Sequence, residues 1–596
     1  MAEKPRITAV SALVLLLPLA VAFAQTQDDY IVRSTVNDNG DYLYVRIPPE
    51  NDNGFDLVLR RAGGSETTIL RCANTSSSPI TFTSTVPPGR QRTGYLEGFG
   101  RYFSLNDNGL AAVRIAITNT QNGSDREDDP NDPNDPYGFQ AIVTVTSAGV
   151  VKTIVLDGDT IAGEAVGASP NEGLTPWPGL NNSGQVAFGE REINYSGPKG
   201  SDDSGYRIIR YNPGPPATYD VLLRRGDSIF GTFFVLNDGS DDNSVNTLNS
   251  AAQVLTRAQL TDNMGAPTMS LDSLLILNGP GNLTEVKREG QTDALAEVEM
   301  GVLNDGGQAL YKSSDTVTNC VSPAIPHEHL VRFTPPSTYT LIAVSGADVP
   351  GTAGGGPAIS GFGAKYQMNN LGHVAFVAGI ELDPTNPSQS PSGPDYCPYP
   401  RACAQDQILF FWNGSTLTPI ARTTTLDGTD CAGIASGLGG FDFDWFANFV
   451  HLNDNDTVVF FAERGTCRSP YGAEFSGWFS WSPTGGLNKI IAEGDTVAGG
   501  QVTNLDPKPG QDGQKMLSDT GDFAVSAAID GPAPGGTTYP NGYPDDEDIP
   551  VTFIAATTQQ QAATQVPALG TWAAALLALL LAGLGVMQAR RRLAAA

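Results

Sequence analysis

A short motif recurs eight times along this chain and limits the folds that the chain can adopt. Each copy has an apolar residue, then Asn or Ser, then small or polar residues, and usually Gly as the fifth residue. The copies begin at Val36, Leu105, Leu180, Leu248, Leu303, Met368, Leu452 and Leu517. An Asn side chain can cap its own backbone two residues on, and Gly adopts a positive φ at little steric cost. The motif therefore predicts a tight turn.

The segment after each turn is predicted to be a strand that is buried on both faces. In the sixth copy residues 374–378 read VAFVA, without the alternating polar residues of a half-exposed strand. A strand of this kind lies in a sheet that is packed between two other sheets. Two more clear strands and one weak, aromatic-bearing strand follow in each repeat, which matches the four-stranded blade of a propeller.

The distance between copies varies from 55 to 84 residues, as expected when surface insertions interrupt a constant set of strands. The last motif strand, residues 522–529, is followed by only about half a blade. We expect the N-terminal segment, residues 30–34, to add a strand there and close the ring. The predicted fold class is all-β, a β-propeller of seven or eight four-stranded blades over residues 25–556. Two stacked smaller propellers are the alternative.

Three copies depart from the motif. Ala252 and Asp456 replace the Gly, and Ser518 replaces the Asn. Ala tolerates the left-handed conformation poorly, so we expect the fourth turn to differ in detail. A rival fourth copy at Leu236 has a better turn but is followed by polar chain, so we place the fourth copy at Leu248.

The N-terminus has the features of a secretory signal. Lys4 and Arg6 precede an apolar run over residues 9–23, which ends in a small-x-small sequence. This pattern predicts a signal helix in residues 1–24 with cleavage between Ala24 and Gln25. The repeats are then exported from the cytoplasm.

The C-terminus is predicted to be a membrane segment. After a linker at residues 557–565, residues 568–587 carry no charge, and 20 helical residues at about 1.5 Å each reach about 30 Å, one hydrocarbon core. Arg590, Arg591 and Arg592 then stop transfer and belong on the cytoplasmic side. A transmembrane helix would thus hold the repeats outside the cell.

Two resemblances extend this interpretation. The tail, residues 566–596, resembles the bacterial IPTL-CTERM tail, which is similar to the PEP-CTERM signals read by exosortase-type membrane proteases. The residues that carry the likeness are Val566, Pro567, Ala568, Leu569, Trp572, Gly583 and the arginine cluster. Val566 stands where that tail has Ile, and Ala568 where it has Thr. The repeat motif resembles the NxxGxxAF tandem repeat of exported proteins, as in Val186-Ala187-Phe188 after Gly184.

These resemblances imply sorting to the surface or the extracellular matrix of a Gram-negative-type bacterium. They imply an exosortase-type sorting protease as a partner, which removes the tail in some such proteins. The membrane is then a partner through the C-terminal helix before processing. They imply no catalytic residues.

Charge excludes some partners. The chain has 64 acidic and 35 basic residues, a formal charge of −29, which disfavours nucleic acid and anionic membrane surfaces. Acidic insertions at residues 125–137, 238–243 and 545–548 are interpreted as solvated loops, with Ca²⁺ binding as the alternative. None has the spacing of a 12-residue calcium loop, so no cofactor is predicted.

The cysteines predict disulfides. Six are present, and four of them lie within one span of the exported region: Cys397, Cys403, Cys431 and Cys467. An oxidising compartment favours local disulfides among these four, with all three connectivities open. No CxxC spacing occurs, which disfavours a zinc site.

No catalytic motif is found. The four histidines are His327, His329, His373 and His451. His327 and His329 can share one face of a strand but lack an evident third metal ligand, while His373 and His451 lie beside Asn turns, where capping or packing is the simpler explanation. The chain has no GxSxG, HExxH, P-loop or strand-to-helix GxGxxG. The sequence therefore predicts no catalytic, cofactor-binding or metal-binding residues.

Aromatic residues gather in the sixth and seventh repeats, among them Trp412, Trp445, Trp478 and Trp481. Core packing is the favoured explanation, and stacking against sugars is the alternative. The predicted function is a non-enzymatic binding or structural module of the cell surface or matrix, with a surface glycan or another matrix protein as partner. The alternative function is a carbohydrate-active lyase or hydrolase with its site at the mouth of the propeller channel.

Overall fold

The computed structural model describes the strands of the repeat region and the turns that join them. The described residues are 34–46, 55–72, 79–118, 139–166, 174, 178–192, 205–237, 248–263, 270–291, 297–299, 301–314, 328–350, 358–381, 406–423, 443, 445–465, 473–497, 500–505, 515–530 and 549–556. They contain 37 strands, and none of them lies in a helix.

The strands form eight sheets of four or five strands, in which neighbouring strands pair antiparallel. Sheet 1 contains β1 (Ser34–Val36), β2 (Tyr42–Arg46), β3 (Phe55–Arg60) and β4 (Glu66–Cys72). Sheet 2 contains β5 (Ile80–Thr83), β6 (Gln91–Leu105), β7 (Ala111–Thr118), β8 (Phe139–Val145) and β9 (Val151–Leu156). A separate hairpin, β10 (Thr160–Ile161) and β11 (Glu164–Ala165), follows sheet 2.

The next three sheets follow the same order. Sheet 3 contains β12 (Gly179–Leu180), β13 (Val186–Glu192), β14 (Gly205–Asn212) and β15 (Thr218–Arg224). Sheet 4 contains β16 (Ser228–Ile229), β17 (Phe233–Asn237), β18 (Val254–Thr261), β19 (Ser270–Gly279) and β20 (Asn282–Arg288). Sheet 5 contains β21 (Glu297–Val298), β22 (Val302–Leu303), β23 (Ala309–Ser314), β24 (Glu328–Thr334) and β25 (Thr338–Val344).

The last three sheets have four strands each. Sheet 6 contains β26 (Ala358–Met368), β27 (Val374–Glu381), β28 (Asp406–Trp412) and β29 (Leu417–Arg422). Sheet 7 contains β30 (Trp445–Leu452), β31 (Val458–Gly465), β32 (Ala473–Ser482) and β33 (Gly486–Ala492). Sheet 8 contains β34 (Thr496–Val497), β35 (Gly500–Leu505), β36 (Asp522–Asp530) and β37 (Ile549–Ala556).

The motif strand is an inner strand of every sheet, as predicted. In sheet 6 the motif strand β27 pairs with β26 on one side and β28 on the other, and residues 374–378 are at most 1% exposed. Its alternate side chains belong to two different cores: Val374 and Phe376 pack towards sheet 5, and Ala375 and Val377 towards sheet 7. This arrangement explains why the motif strand lacks polar residues on either face.

The hydrophobic cores lie between consecutive sheets and connect them into a propeller-like arrangement. Separate clusters join sheets 1 and 2, 2 and 3, 3 and 4, 4 and 5, 5 and 6, and 6 and 7. The cluster that contains Trp478 of sheet 7 and Phe523 of sheet 8 also contains Tyr42 and Tyr44 of sheet 1. The first and last sheets are therefore packed against each other.

The predicted mode of ring closure is wrong in its detail. β1 pairs with β2 of its own sheet, and it meets the last sheet through hydrogen bonds from Val36 N and Thr35 Oγ1 to Lys515 O (2.8 and 3.0 Å). The error came from assigning the weak strand to the end of each repeat, whereas that strand begins the next sheet. Ser34 is consequently the start of sheet 1, and residues 30–33 lie outside the described residues.

Connections at the two ends of the motif strands differ in length. At one end, each motif turn occupies five residues, as in residues 106–110 and 369–373. At the other end, the chain between the motif strand and the next strand runs from seven residues (466–472) to 24 residues (382–405). We call these two sides of the arrangement the Asn face and the insertion face.

A register shift recurs at the outer edge of most sheets. In sheets 1 to 7 the pairing between the last two strands contains a register shift, for example between Leu57 and Val58 or between Trp478 and Phe479. A bulge twists an edge strand and disfavours pairing with another chain.

Candidate functional site: the ring of Asn turns

Seven motif turns are held by their own Asn side chain, as predicted, and the eighth by the hydroxyl of Ser518. In the second copy Asn106 Oδ1 accepts hydrogen bonds from the N–H groups of Asn108 (3.1 Å) and Leu110 (2.9 Å). Gly109 has φ 72° and donates its N–H to Asn106 O (2.9 Å). The Asn therefore satisfies donors that a turn would otherwise leave buried and unpaired.

The fourth turn does not differ from the others, and that expectation was wrong. Ala252 adopts φ 61°, and its N–H donates to Asn249 O (3.0 Å) as Gly does elsewhere. Gln253 N donates to Asn249 Oδ1 (2.8 Å), so the cap is also kept. Bonds to the neighbouring copies hold Ala252 in the left-handed region, at a cost of about 1 kcal/mol.

The same Asn side chains bind consecutive copies together, which the sequence alone did not predict. In seven copies the Asn Nδ2 group donates to the main-chain carbonyl of the corresponding residue of the next copy, over 2.8 to 3.1 Å. The members of this ladder are Asn37, Asn106, Asn181, Asn249, Asn304, Asn369, Asn453 and, as the last acceptor, Ser518. All are at most 5% exposed. The ladder confirms Leu248, rather than Leu236, as the start of the fourth copy.

A second row of bonds runs parallel to the ladder. The residue after the Asn donates its N–H to the side-chain Oδ1 of the corresponding residue in the next copy, in six pairs over 2.7 to 3.0 Å. Asn39, Asn108 and Asn455 add a third row by donating Nδ2 to the carbonyls of Asp107, Asn182 and Asp519. The Asn-Asp-Asn order of the motif therefore corresponds to three rows of bonds between neighbouring sheets.

The glycine of the motif also makes room for the preceding copy. A Cβ on Gly307 would lie 2.8 Å from Gln253 Oε1, and a Cβ on Gly40 would overlap the Asp522 carboxylate. Gln253 is the last turn residue of the copy before Gly307, and Asp522 stands in the same relation to Gly40 across the junction of sheets 8 and 1. Sheets 8 and 1 therefore make the same kind of contact as sheets 4 and 5.

Asp456 shows how the ring accommodates a side chain at the Gly position. It adopts φ 60°, and its Oδ1 atom accepts hydrogen bonds from Asn369 Nδ2 (2.9 Å) and lies 2.7 Å from His373 Nδ1. His373 also packs edge-on against Phe411. This placement confirms the packing and capping role predicted for His373.

Carboxylates concentrate on the Asn face, and two of them have a raised pKa. Burial raises the pKa of Asp107 and Asp454, and the carboxylates of Asp519 and Asp305 raise both further. These residues come from the second, fifth, seventh and eighth copies, so the turns converge around a common axis. Asp38 has the same position in the first copy and contacts Lys515 Nζ.

Among the residues that the structure describes, no group of three or more His, Cys, Asp and Glu side chains is placed to hold a metal ion. The acidic insertions for which Ca²⁺ was the alternative, residues 125–137, 238–243 and 545–548, lie outside the described residues.

Asp157 has a strongly raised carboxyl pKa, and its main chain joins the two outer strands of sheet 2. Burial raises its pKa to about 7, and Glu190 and Asp159 contribute. Its N–H donates to Gln140 O (3.0 Å), and its Oδ2 accepts from Gln140 N (2.6 Å). The main-chain bond recurs after the outer strand of five other sheets, at Arg225, Glu289, Ser345, Thr423 and Glu493. The main-chain bond of Asp157 is therefore part of a contact that is repeated at the outer edge of the sheets.

A buried ion pair fastens the hairpin β10–β11 to sheet 3. Arg207 and Glu190 are both 0% exposed and in contact, and Arg207 Nη1 also donates to Ile161 O (2.9 Å) and Glu164 Oε2 (3.2 Å). Arg224 contacts the same Glu164 carboxylate. Because its charges are paired and enclosed, the cluster stabilises the packing of the hairpin and offers no open site.

Of the remaining described side chains, His451 and the aromatic cluster lie in hydrophobic cores, and His329 lies in a strand. His451 is buried between Trp478 and Phe523, which confirms packing, and burial lowers its pKa to about 4. His329 lies in β24, opposite Val344 of β25. The aromatic cluster of the sixth and seventh repeats is core: Trp412 and Trp478 are at most 5% exposed and Trp481 packs against Phe411.

Several predicted residues lie outside the described residues. They are the signal cleavage pair Ala24 and Gln25, His327, Cys397, Cys403, Cys431, Cys467, the sorting residues Val566, Pro567, Ala568, Leu569 and Trp572, and the stop residues Arg590, Arg591 and Arg592. The side chain of Trp445 is likewise not described. Cys72, which is described, is buried in the core between sheets 1 and 2.

Two protein families match parts of this chain. The family described as "IPTL-CTERM motif" matches residues 564–592, which confirms a C-terminal sorting signal and indicates an exported, surface-associated protein. The family described as "Family of unknown function (DUF7453)" matches residues 132–392. No curated protein matches the chain. The NxxGxxAF repeat type stays a prediction.

Solved structures share only a distant likeness with this chain. A puromycin hydrolase variant is 12% identical with a TM-score of 0.36, over 87% of this chain and 61% of that one. A PL25 ulvan lyase (9% identity, TM-score 0.32, 81% and 94% covered) and an oligogalacturonate lyase in complex with manganese (8%, 0.32, 82% and 99%) are similarly distant. Similarity at this level says nothing about the activity of this chain.

None of the described residues belongs to a helix long and apolar enough to cross a membrane. The predicted transmembrane residues 568–587 lie outside that part of the chain.

Proposed function

We propose that this chain is an exported, non-enzymatic binding module of the cell surface or extracellular matrix. Its body is a closed ring of eight blades, one for each Asn turn, and its insertion face contacts the ligand. The supporting observation is the contrast between the constant turns of the Asn face and the variable connections of the insertion face.

The eight-blade ring is supported by three kinds of contact that agree with one another. The Asn ladder passes through eight copies in sequence order. The core that joins sheets 7 and 8 continues into sheet 1. Lys515 of the last copy binds β1 through its main-chain carbonyl. Two stacked smaller rings would interrupt this series.

The Asn face is poorly suited to selecting a ligand by its side chains. Its buried amides are engaged in the turns and the ladder, and the carboxylates of Asp107 and Asp454 accept hydrogen bonds from neighbouring turns. A substitution there would weaken the ring itself. The insertion face can instead change sequence and length without disturbing a strand, since each insertion begins and ends at a strand terminus.

The chemistry of the insertions favours a hydroxyl-rich ligand. Residues 125–137, DREDDPNDPNDPY, combine carboxylates and amides that accept and donate hydrogen bonds to sugar hydroxyls. We therefore propose a surface glycan as the ligand. Binding to another matrix protein would appear instead as retention on protein rather than on glycan surfaces.

A glycan array tests this proposal. The full-length protein in detergent is expected to be retained on a subset of glycans, and a variant with residues 119–138 replaced by a short Gly-Ser linker is expected to change that subset. A matched variant, Leu371→Ala on the Asn face, should bind as the parent does. Release of unsaturated or reducing sugar ends from a bound glycan would overturn the proposal in favour of the predicted lyase or hydrolase.

A further inference from the structure

We infer that the Asn face is turned towards the membrane while the C-terminal tail is intact, and that the insertion face is turned away from it. The partner of the Asn face is thus the lipid bilayer that holds the protein's own apolar segment. This inference rests on the proposed function at the cell surface and on the membrane segment predicted from the sequence at residues 568–587.

The direction of the last strand determines where the chain leaves the ring. Ala556 pairs with Asp522, which directly follows Gly521 of the eighth Asn turn. Ile549, at the start of β37, pairs with Ile529 at the other end of the motif strand. The described chain therefore ends on the Asn face.

The length of the following segment limits how the ring can be placed. Residues 557–567 separate β37 from the first residue of the uncharged run, Ala568. Eleven residues span about 18 Å as a flexible coil and at most about 40 Å when fully extended. A motif strand of eight residues, such as β27, makes the ring about 26 Å thick.

A flexible coil of this length would hold the Asn face about 18 Å from the bilayer. To present the insertion face instead, the segment would have to run almost fully extended along the side of sheet 8 and use most of its length to cross the ring. The shorter, unextended path costs less conformational entropy.

The negative charge of the Asn face keeps the ring at a distance from the bilayer. Asp107, Asp305, Asp454 and Asp519 carry carboxylates on the Asn face, and repulsion from anionic headgroups acts within a Debye length of about 8 Å at physiological salt. The ring is therefore tethered above the membrane rather than adsorbed on it. This geometry leaves the insertion face open to ligands and places the start of the sorting signal, Val566 and Pro567, between the ring and the bilayer.

Energy transfer to labelled lipids tests the orientation on the full-length protein. Two exposed residues mark the two faces. Leu371 lies in the sixth Asn turn and is 58% exposed. Thr160 lies in the hairpin β10–β11, which follows the end of β9 on the insertion face. Each is replaced, in separate variants, by an azide-bearing amino acid and coupled to the same donor dye. The protein is reconstituted into phosphatidylcholine vesicles that carry an acceptor on the headgroup.

Transfer from position 371 is expected to exceed transfer from position 160, and insertion of a 20-residue Gly-Ser segment after Gln565 should lower the transfer from both. Equal transfer, or stronger transfer from position 160, would overturn the inference. Failure of the protein to float with the vesicles would overturn it as well. Glycan binding through the insertion face is measured separately, so loss of that binding with preserved transfer would refute the proposed ligand and leave the orientation standing.

Discussion

Removal of one ladder amide should destabilise the whole ring, and Asn304 offers the best-defined case. Its Nδ2 donates to Asn369 O (3.1 Å) and to Gln308 Oε1 (3.0 Å), and its Oδ1 accepts from Gln308 N (2.9 Å). The residue is 4% exposed. Asn304→Ala removes all three bonds and leaves the Asn369 carbonyl and the Gln308 N–H without these partners.

The magnitude follows from the number of groups left unpaired. A net hydrogen bond contributes about 1 kcal/mol, and a buried group left without a partner costs about 1–3 kcal/mol, so we expect a loss of about 2–4 kcal/mol. Asn304→Ser is the matched variant, because Ser518 caps its own turn in the eighth copy by accepting from Asp522 N (2.8 Å). It should keep the cap, lose the bond to Asn369, and cost about half as much.

Urea denaturation of the full-length protein in detergent, followed by tryptophan fluorescence, measures these losses as shifts in the midpoint at constant slope. Leu371→Ala, at an exposed position of the next turn, controls for the substitution itself and should change stability by less than about 0.5 kcal/mol. If Asn304→Ala shifts the midpoint no more than Leu371→Ala, the ladder does not hold the ring together.

Three further predictions concern stability. Ala252→Gly should stabilise the protein by about 1 kcal/mol, seen as a higher melting temperature, because Ala252 is held at φ 61°. Lowering the pH from about 6.5 to about 4 should reduce the free energy of unfolding by about 3 kcal/mol. The reason is that His451 takes up a proton readily in the unfolded chain but has a pKa of about 4 in the folded chain. His451→Phe should make stability depend less on pH over this range. Arg207→Met should cost about 3–5 kcal/mol in urea denaturation by leaving Glu190 buried without its cation, and adding Glu190→Leu should recover part of it; equal losses in the single and double variants would contradict this explanation.

The repeat unit was predictable because its causes are local. The left-handed conformation at Gly109 or Gly372 follows from the residue type, and burial of residues 374–378 on both faces follows from the absence of polar side chains. The order of strands within a sheet was predictable for the same reason. Only the boundary between repeats was misplaced, since the first strand is very short in several sheets, with three residues in β1 and two in β12 and β34.

The contacts between repeats were not predictable from the pattern. The partner of Asn304 Nδ2 lies 65 residues away, and nothing near Asn304 in sequence indicates it. The left-handed Ala252 was misjudged because propensity was weighed without the bonds that neighbouring turns supply. A Gly-Asp pair after the outer strand, as in Gly158-Asp159 and Gly494-Asp495, lies at the turn that leads into the next pair of strands.

Binding through the insertion face is tested most directly by comparing two variants on the same glycan array. The predicted result is that replacement of residues 119–138 changes or abolishes glycan retention, that Leu371→Ala does not, and that no bound glycan is cleaved. Retention that is unaffected by the replacement but lost in Leu371→Ala, or cleavage of the glycan, would contradict the assignment of the ligand to the insertion face of a non-enzymatic ring.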